Sequence, residues 1–402
     1  MENKIQLMRG TKTQLAAKGG LSIAEPGYCS DTKDLYVGNA SGGDTLFLAA
    51  ENILYNVYRQ AIINGNFDVW QRGTSWTNPA SGQFTADHFS TEYVLDGGTN
   101  PTIVHSRFPF LPASDLPGAN YHYRIAPNGA GSSYGANSLQ WLTQRIENGT
   151  RFLCGAGKKV TVSFVANSNI AGKKIGVWLR QNYGTGGTPS AAEVINGSSV
   201  TLTSTLTRYA FTFDTNTLIG KTFGSNDNDY LEIAISYQWG ATLGARVGQS
   251  TLETFRASGI INIAQVQVNV GDTALPFQPK SFLEEYQACL RYYETSYNYG
   301  VIPGAATEVG SIVLPPYTPT NDFSAYNVSF RGIKKIVPTV YLYAIDGTVG
   351  RITISDSGLK TTVNTTSNQP SPQGFKGWTA LGTGNTPSSS RTAFHFVADA
   401  EL

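Results

Sequence analysis

The chain of 402 residues (43.2 kDa) exceeds the roughly 250–300 residues at which a single hydrophobic core stops growing, so two or three domains are expected. Charged residues make up only 14% while Gly (43), Tyr (21) and Phe (19) are plentiful, a profile suited to β-rich architecture. Lys plus Arg (29) nearly cancels Asp plus Glu (28), which removes the basic field that would hold nucleic acid or an anionic membrane.

Met1 to Lys4 has no apolar core behind it, and no later run reaches the roughly 18 apolar residues of a membrane span, so a soluble chain without membrane insertion is expected. Ile5–Leu7 and Leu35–Val37 are short apolar stretches broken by Gly10, Gly19, Gly20 and Pro26-Gly27, too short to bury themselves. From Thr45 to Gln60, the spacing of Leu46, Ala50, Ile53 and Val57 predicts a short helix that needs other copies of the chain or the next domain to pack against. Asn64-Gly65-Asn66 opens a long region of alternating segments: Val160–Val165, Lys174–Leu179, Tyr209–Phe213, Leu231–Ile235 and Ile261–Val270. These are half-buried strands. Asn196-Gly197 is placed for a tight hairpin, and the whole region reads as a β-sandwich or jelly roll.

Pro276 and Pro279 end that region, and Phe282 to Ser296 is predicted helical, with Phe282, Tyr286, Cys289, Leu290 and Tyr293 on one face. Beyond it, Thr339–Ala344 and Thr348–Ile354 flank Ile345-Asp346-Gly347, where Asp-Gly favours a type I′ hairpin, and Thr392–Val397 alternates again. The expected units are therefore 1–60, 61–281 and 282–402 in a mainly β chain. Cys29, Cys154 and Cys289 are odd in number and far apart, encoding neither a disulfide framework nor a zinc site. Asn-x-Ser/Thr triplets at Asn39, Asn148, Asn196, Asn327 and Asn364 lack a secretory signal and are read as chance.

Three groups of residues resemble the tail fibre and receptor-binding proteins of tailed bacteriophages. Ile5 to Thr11, followed by Ala24-Glu25-Pro26-Gly27-Tyr28, Asp31-Thr32 and Leu35-Tyr36-Val37-Gly38, is similar to the N-terminal module of phage tropism-determinant and hyaluronidase proteins. Asn64 to Gly73, with Ala86-Asp87-His88-Phe89, resembles the opening of a jelly roll like a carbohydrate-binding module. Ala274 to Pro279, leading into Glu284 to Tyr293, resembles its closing segment, and Phe394 to Leu402 resembles the last strand of such proteins. The resemblance implies residues 1–60 as a tail-attachment and trimerisation module, 61–281 as a jelly-roll domain, and 282–402 as a linking helix with a C-terminal β domain. It also implies a homotrimer in the virion, made in the host cytoplasm, with other tail or baseplate proteins and a bacterial surface glycan as partners.

Sugar recognition takes flat aromatic faces against the ring C–H surface and amides or carboxylates for the hydroxyls. Trp141, Trp178 and Trp239 fall in or beside predicted strands and read as core, as does Trp70 in its motif. Trp76 and Trp378 lie in loop-like stretches and are the first ligand-binding candidates, followed by Tyr183, Tyr317 and Tyr326 beside turns. His88, His105, His122 and His395 stand in no nucleophile or metal-helix pattern, so no catalytic residue and no cofactor is assigned. Asp227-Asn228-Asp229 with Glu232 lacks calcium-loop spacing and reads as a polar turn, so no metal is assigned either. The expected function is non-enzymatic attachment of the virion to a host-surface receptor. A structural baseplate or tail appendage role is the alternative, and a polysaccharide depolymerase the third.

Overall fold

The computed structural model describes residues 8–32, 34–39, 44–48, 59–110, 116, 118–314, 323–356, 359–364, 367–380 and 391–402. The N-terminal sheet comprises β1 (Met8–Gly10), β2 (Pro26–Cys29), β3 (Leu35–Gly38) and β4 (Asp44–Leu48). Helix α1 (Lys12–Lys18) lies between β1 and β2, begun by a reciprocal Thr11–Gln14 capping box and ended by Gly19 at φ +82°. Among the described residues, Leu21, Cys29 and Tyr36 are the buried apolar side chains here, a core thin enough to need support from elsewhere. Of the helix expected over Thr45–Gln60, residues 45–48 belong instead to β4, where ladder bonds to β3 override helical spacing, and 49–58 lie outside the described residues.

Two six-stranded antiparallel sheets form the sandwich. Its strands in chain order are β5 (Ser75–Thr77), β6 (Gln83–Phe84), β7 (Ser90–Val94), β8 (Ile103–Pro109), β9 (Tyr121–Pro127), β10 (Leu139–Glu147), β11 (Lys159–Ser168), β12 (Lys174–Asn182), β13 (Glu193–Thr201), β14 (Thr207–Asp214), β15 (Tyr230–Trp239) and β16 (Ile261–Val270). A short helix α2 (Gly149–Leu153) follows β10. One sheet runs β13-β12-β15-β10-β7-β6 and the other β14-β11-β16-β9-β8-β5. The predicted strands are all present, and Ile261–Val270 has the predicted bounds. Alternate residues of the long strands, such as Val160, Val162 and Phe164 on β11, point into one continuous core with Phe67, Trp70, Phe89 and Tyr123. Each large side chain buried there contributes about 1.5–3 kcal/mol. Asn196-Gly197 does not form the expected hairpin turn: both residues lie within β13, opposite a register shift between Val177 and Leu179. A Cβ on Gly197 would come 2.1 Å from the Val177 carbonyl oxygen, so this glycine serves close strand approach.

The C-terminal part begins with α3 (Phe282–Leu290), shorter than the predicted 282–296 because β17 (Tyr293–Thr295) pairs with the last strand. The rest are β18 (Ile312–Leu314), β19 (Phe323–Ser329), β20 (Thr339–Tyr343), β21 (Arg351–Asp356), β22 (Leu359–Asn364), β23 (Ser367–Ser371), β24 (Gly374–Ala380) and β25 (Arg391–Asp399). β25 is the hub, pairing with β17, β18, β20 and β21. The expected Asp346-Gly347 hairpin is a tight turn in which only Gly347 takes positive φ, so it is not type I′, and its flanking strands each pair with β25. Tyr326, Phe375, Phe394 and Phe396 centre this second core.

A buried polar network ties the two larger parts together. Arg72 lies over the Tyr293 ring at 3.6 Å and reaches Glu401 at 3.0 Å, while His88 Nδ1 is 2.8 Å from the same carboxylate. Asp87 accepts from the Gln71 backbone and side chain at 2.8 and 2.6 Å. Glu147 accepts from Arg291 Nε and Nη2, each at 2.6 Å, and from the Tyr292 hydroxyl at 2.7 Å. Burial would raise the Glu147 carboxyl, but Arg291, Tyr292 and Lys335 hold it down at about 2.

Candidate functional site

The local fold of the 64–71 segment explains why the site lies beside it. Asn64 takes φ +58° and spends its side chain on the backbone, donating to the Val69 and Asp87 carbonyls and accepting from Val69 N–H. Gly65 passes so close to β16 that a Cβ would sit 2.2 Å from the Val266 carbonyl oxygen. With Phe67 and Trp70 driven into the core, the alternate residues Asn66 and Asp68 face the other way. They form part of the wall of an open cleft of about 720 Å³.

The β8–β9 hairpin supplies Arg107, Asn120 and Tyr121, and the start of α3 supplies Lys280, Ser281 and Phe282. That helix start is fixed by a capping box, Ser281 accepting from Glu284 N–H and Glu284 accepting from Ser281 N–H. Tyr299 closes the wall, its ring edge-on to Phe282 with centroids 5.0 Å apart. Phe282 and Tyr299 remain 46% and 41% exposed, which is unusual for large rings and makes them available to a ligand. Tyr299 donates to the Asp68 carbonyl at 2.7 Å, and Arg107 donates to that carbonyl at 3.2 Å and to the Tyr299 hydroxyl at 3.1 Å. The Arg107 guanidinium also covers the Tyr121 ring at 4.4 Å.

Two acceptors in this wall have no donor. Asn66 and Asp68 are almost wholly buried, yet neither Asn66 Oδ1 nor Asp68 Oδ1 has a hydrogen-bond partner. Burial and then the nearby Glu285 carboxylate push the Asp68 carboxyl up from 3.8 to about 6, against the opposing pull of an Asn120 hydrogen bond and of Arg107. Glu285 itself accepts from Asn64 N–H at 2.7 Å and does not line the cleft, so Asp68 is the one carboxylate among the described lining residues.

The described residues among those singled out from the sequence lie elsewhere. Trp76 is half-buried on edge strand β5, not in a loop, and packs against the sandwich core. Tyr183 is buried and donates to Glu193 Oε2 at 2.6 Å, and Tyr326 is buried in the C-terminal core. Both face their own cores, so the turns beside them did not expose them. Trp378 lies in strand β24, paired with Ala325, and Tyr317 lies outside the described residues. Trp141 and Trp178 occupy the outer face of the β10-containing sheet with centroids 5.7 Å apart. Arg246 covers Trp178 at 4.5 Å, and both rings are buried, so they offer no open stacking platform. A smaller cavity of about 240 Å³ holds partnered polar groups: Asn100 with Gln140 and Tyr134, His105 with Tyr123, and Thr91 with Tyr237. Burial drives His105 down to about 3, leaving it neutral. Among the described residues no group of three or more His, Cys, Asp or Glu side chains could hold a metal ion, and no helix is long and apolar enough to cross a membrane.

In the sequence, Asn66 and Asp68 stand in the Asn64–Gly73 motif and Phe282 on the predicted helical face, positions that read as fold signatures. The usable signal was two short polar residues alternating with the core residues Phe67 and Val69.

No curated protein matches the chain. Among solved structures it is similar to the N-terminal cellulose-binding domain of Cellulomonas fimi β-1,4-glucanase C (12% identity, covering 46% of this chain and 96% of that one, TM-score 0.25). It is also similar to a family 11 carbohydrate-binding module from Clostridium thermocellum (9%, 49% and 96%, TM-score 0.27) and to a cyclase from Fischerella sp. TAU (12%, 54% and 99%, TM-score 0.30). Residues 5–41, the segment likened above to phage tropism determinants, match the family model described as the Major tropism determinant N-terminal domain.

Proposed function

We propose that the chain is an attachment protein of a tailed-bacteriophage virion that holds a host-surface glycan in the cleft between the sandwich and α3. The observation that carries this reading is the pairing of exposed rings, Phe282 and Tyr299, with buried acceptors that have no donor, Asn66 Oδ1 and Asp68 Oδ1. Rings take the apolar face of a sugar, and the acceptors take its hydroxyls. The tropism-determinant match over residues 5–41 supports a phage setting, with unit 1–60 serving tail attachment and units 61–281 and 282–402 together forming the glycan cleft.

The role is non-enzymatic. Hydrolysis of a glycosidic bond takes two carboxylates about 5–10 Å apart across a cleft, and Asp68 is the one carboxylate among the described residues that line this one. Three chains would assemble through the N-terminal module, whose few buried side chains need neighbours. Three weak sites on one particle, and several particles on one tail, slow detachment by raising the local concentration. The test is retention of the labelled chain on intact bacteria. Saturable binding that falls when Phe282 is replaced by Ala supports the reading, and binding indifferent to that change sinks it.

A further inference from the structure

The polar groups of the cleft fall into two classes. Its cations are partly engaged: Lys280 Nζ donates to the Ile62 carbonyl at 3.1 Å and lies 3.9 Å from Glu285, and Arg107 Nη1 donates to the Asp68 carbonyl and the Tyr299 hydroxyl. Among the buried side-chain atoms of its described lining, those without a partner are both acceptors, Asn66 Oδ1 and Asp68 Oδ1, while Asn66 Nδ2 is occupied by the Gly118 carbonyl at 2.5 Å. A buried acceptor without a donor is costly, so this pair marks where a ligand should bring O–H or N–H groups. The terminal torsions of Asn and Asp are soft, so each oxygen turns toward an incoming donor at little cost.

Charge then selects the donor. An anionic sugar would set its carboxylate or phosphate against Asp68, where the charges of Arg107 and Lys280 are already offset by Asp68 and Glu285. A cationic sugar would meet Arg107 and Lys280 in the same wall. Among the described residues, the two carboxylates Asp68 and Glu285 are balanced by two cations, so these surroundings are close to neutral overall.

We infer that the cleft selects an uncharged sugar residue with two neighbouring free hydroxyls, which donate to Asn66 Oδ1 and Asp68 Oδ1 while the ring rests on Phe282 and Tyr299. This rests on the reading of the cleft as the glycan site. A hydroxyl donates to a carboxylate better than to a carboxylic acid, so binding should weaken as Asp68 takes up a proton. The groups facing Asp68 are Glu285 from α3, Arg107 from β8, Asn120 from the β8–β9 hairpin, and Lys280 and Tyr299 from the segments flanking α3.

The experiment is ligand-observed saturation-transfer NMR on the full chain. The probes are the methyl glycosides of glucose, galactose, mannose and rhamnose, with glucuronate and glucosamine as charged counterparts. At pH 7.5 at least one neutral glycoside should bind and both charged sugars should bind less well. Asp68→Ala and Asn66→Ala should each weaken the neutral ligand about tenfold, the scale of one buried hydrogen bond. Acidification to pH 5 should weaken binding to the wild type and leave Asp68→Asn unchanged. Tighter binding of glucuronate or glucosamine overturns the inference and leaves the glycan reading standing. Absence of transfer from every neutral glycoside overturns it too. Retention on bacteria by the wild type and not by Phe282→Ala then shows that the glycan reading itself survives, and equal retention of both shows that it fails as well. Thermal melts of each variant separate lost binding from lost folding.

Discussion

Replacing Asp68 by Asn should make the unliganded protein more stable at neutral pH, because the wild-type residue is kept for a ligand at the expense of the fold. In the folded chain the carboxyl is pushed up from 3.8 to about 6, so the folded state holds a proton that the unfolded state releases between those values. Stability contributed at this site is therefore greatest below 3.8 and is lost as pH rises through about 6. The difference of about two pH units, at ~1.4 kcal/mol each, sets a ceiling of about 3 kcal/mol. Solvent in the open cleft reduces the expected gain to about 1–2 kcal/mol, or ~2–4 °C in melting temperature. Thermal melts of wild type and Asp68→Asn at pH 7.5 and pH 4 measure it: the variant should melt higher at pH 7.5, with most of the advantage gone at pH 4. If Asp68→Asn is destabilised equally at both values, the carboxylate is a structural acceptor and the reasoning is wrong.

Phe282→Ala should weaken retention on bacteria roughly two- to tenfold, with a melting temperature close to wild type, because the ring is 46% exposed. Glu147→Gln removes the carboxylate that Arg291 and Lys335 grip, and should cost about 1–2 kcal/mol at pH 7 by denaturant titration. Its carboxyl is held at about 2 against an ordinary 4.5, so this stabilisation is present above 4.5 and fades toward pH 2, where the variant and wild type should converge. Gly65→Ala puts a methyl 2.2 Å from the Val266 carbonyl oxygen and should cost about 2 kcal/mol or more, read as a lower denaturation midpoint. Light scattering of the purified chain should give a mass near three chains, and a stable monomer would end the trimer proposal.

The strands were legible where burial on one face imposes a period of two: Ile261–Val270 has its predicted limits, and Val160–Val165 lies inside β11. Local signals misled where tertiary pairing overrode them. Tyr293 continues the apolar face of α3 in sequence, yet it leaves the helix to pair with Asp399. Asn196-Gly197 has hairpin chemistry but meets a facing strand that needs a glycine. The cleft was not legible as a site because its described walls come from residues 66, 68, 107, 109, 118, 120, 121, 280–282 and 299, brought together only by the sandwich and α3. Tyr183 illustrates the converse: it sits beside a turn, as an exposed residue would, but Glu193 and the edge of the Phe223 ring enclose it.

The most direct test of the central claim is binding of fluorescently labelled wild type and Phe282→Ala to intact candidate bacteria, before and after their surface glycans are stripped. The account predicts saturable wild-type binding that is lost on stripping and clearly reduced by the substitution at unchanged melting temperature. Binding that survives stripping, or that Phe282→Ala leaves untouched, would contradict it and direct attention to virion proteins as the partners of this chain.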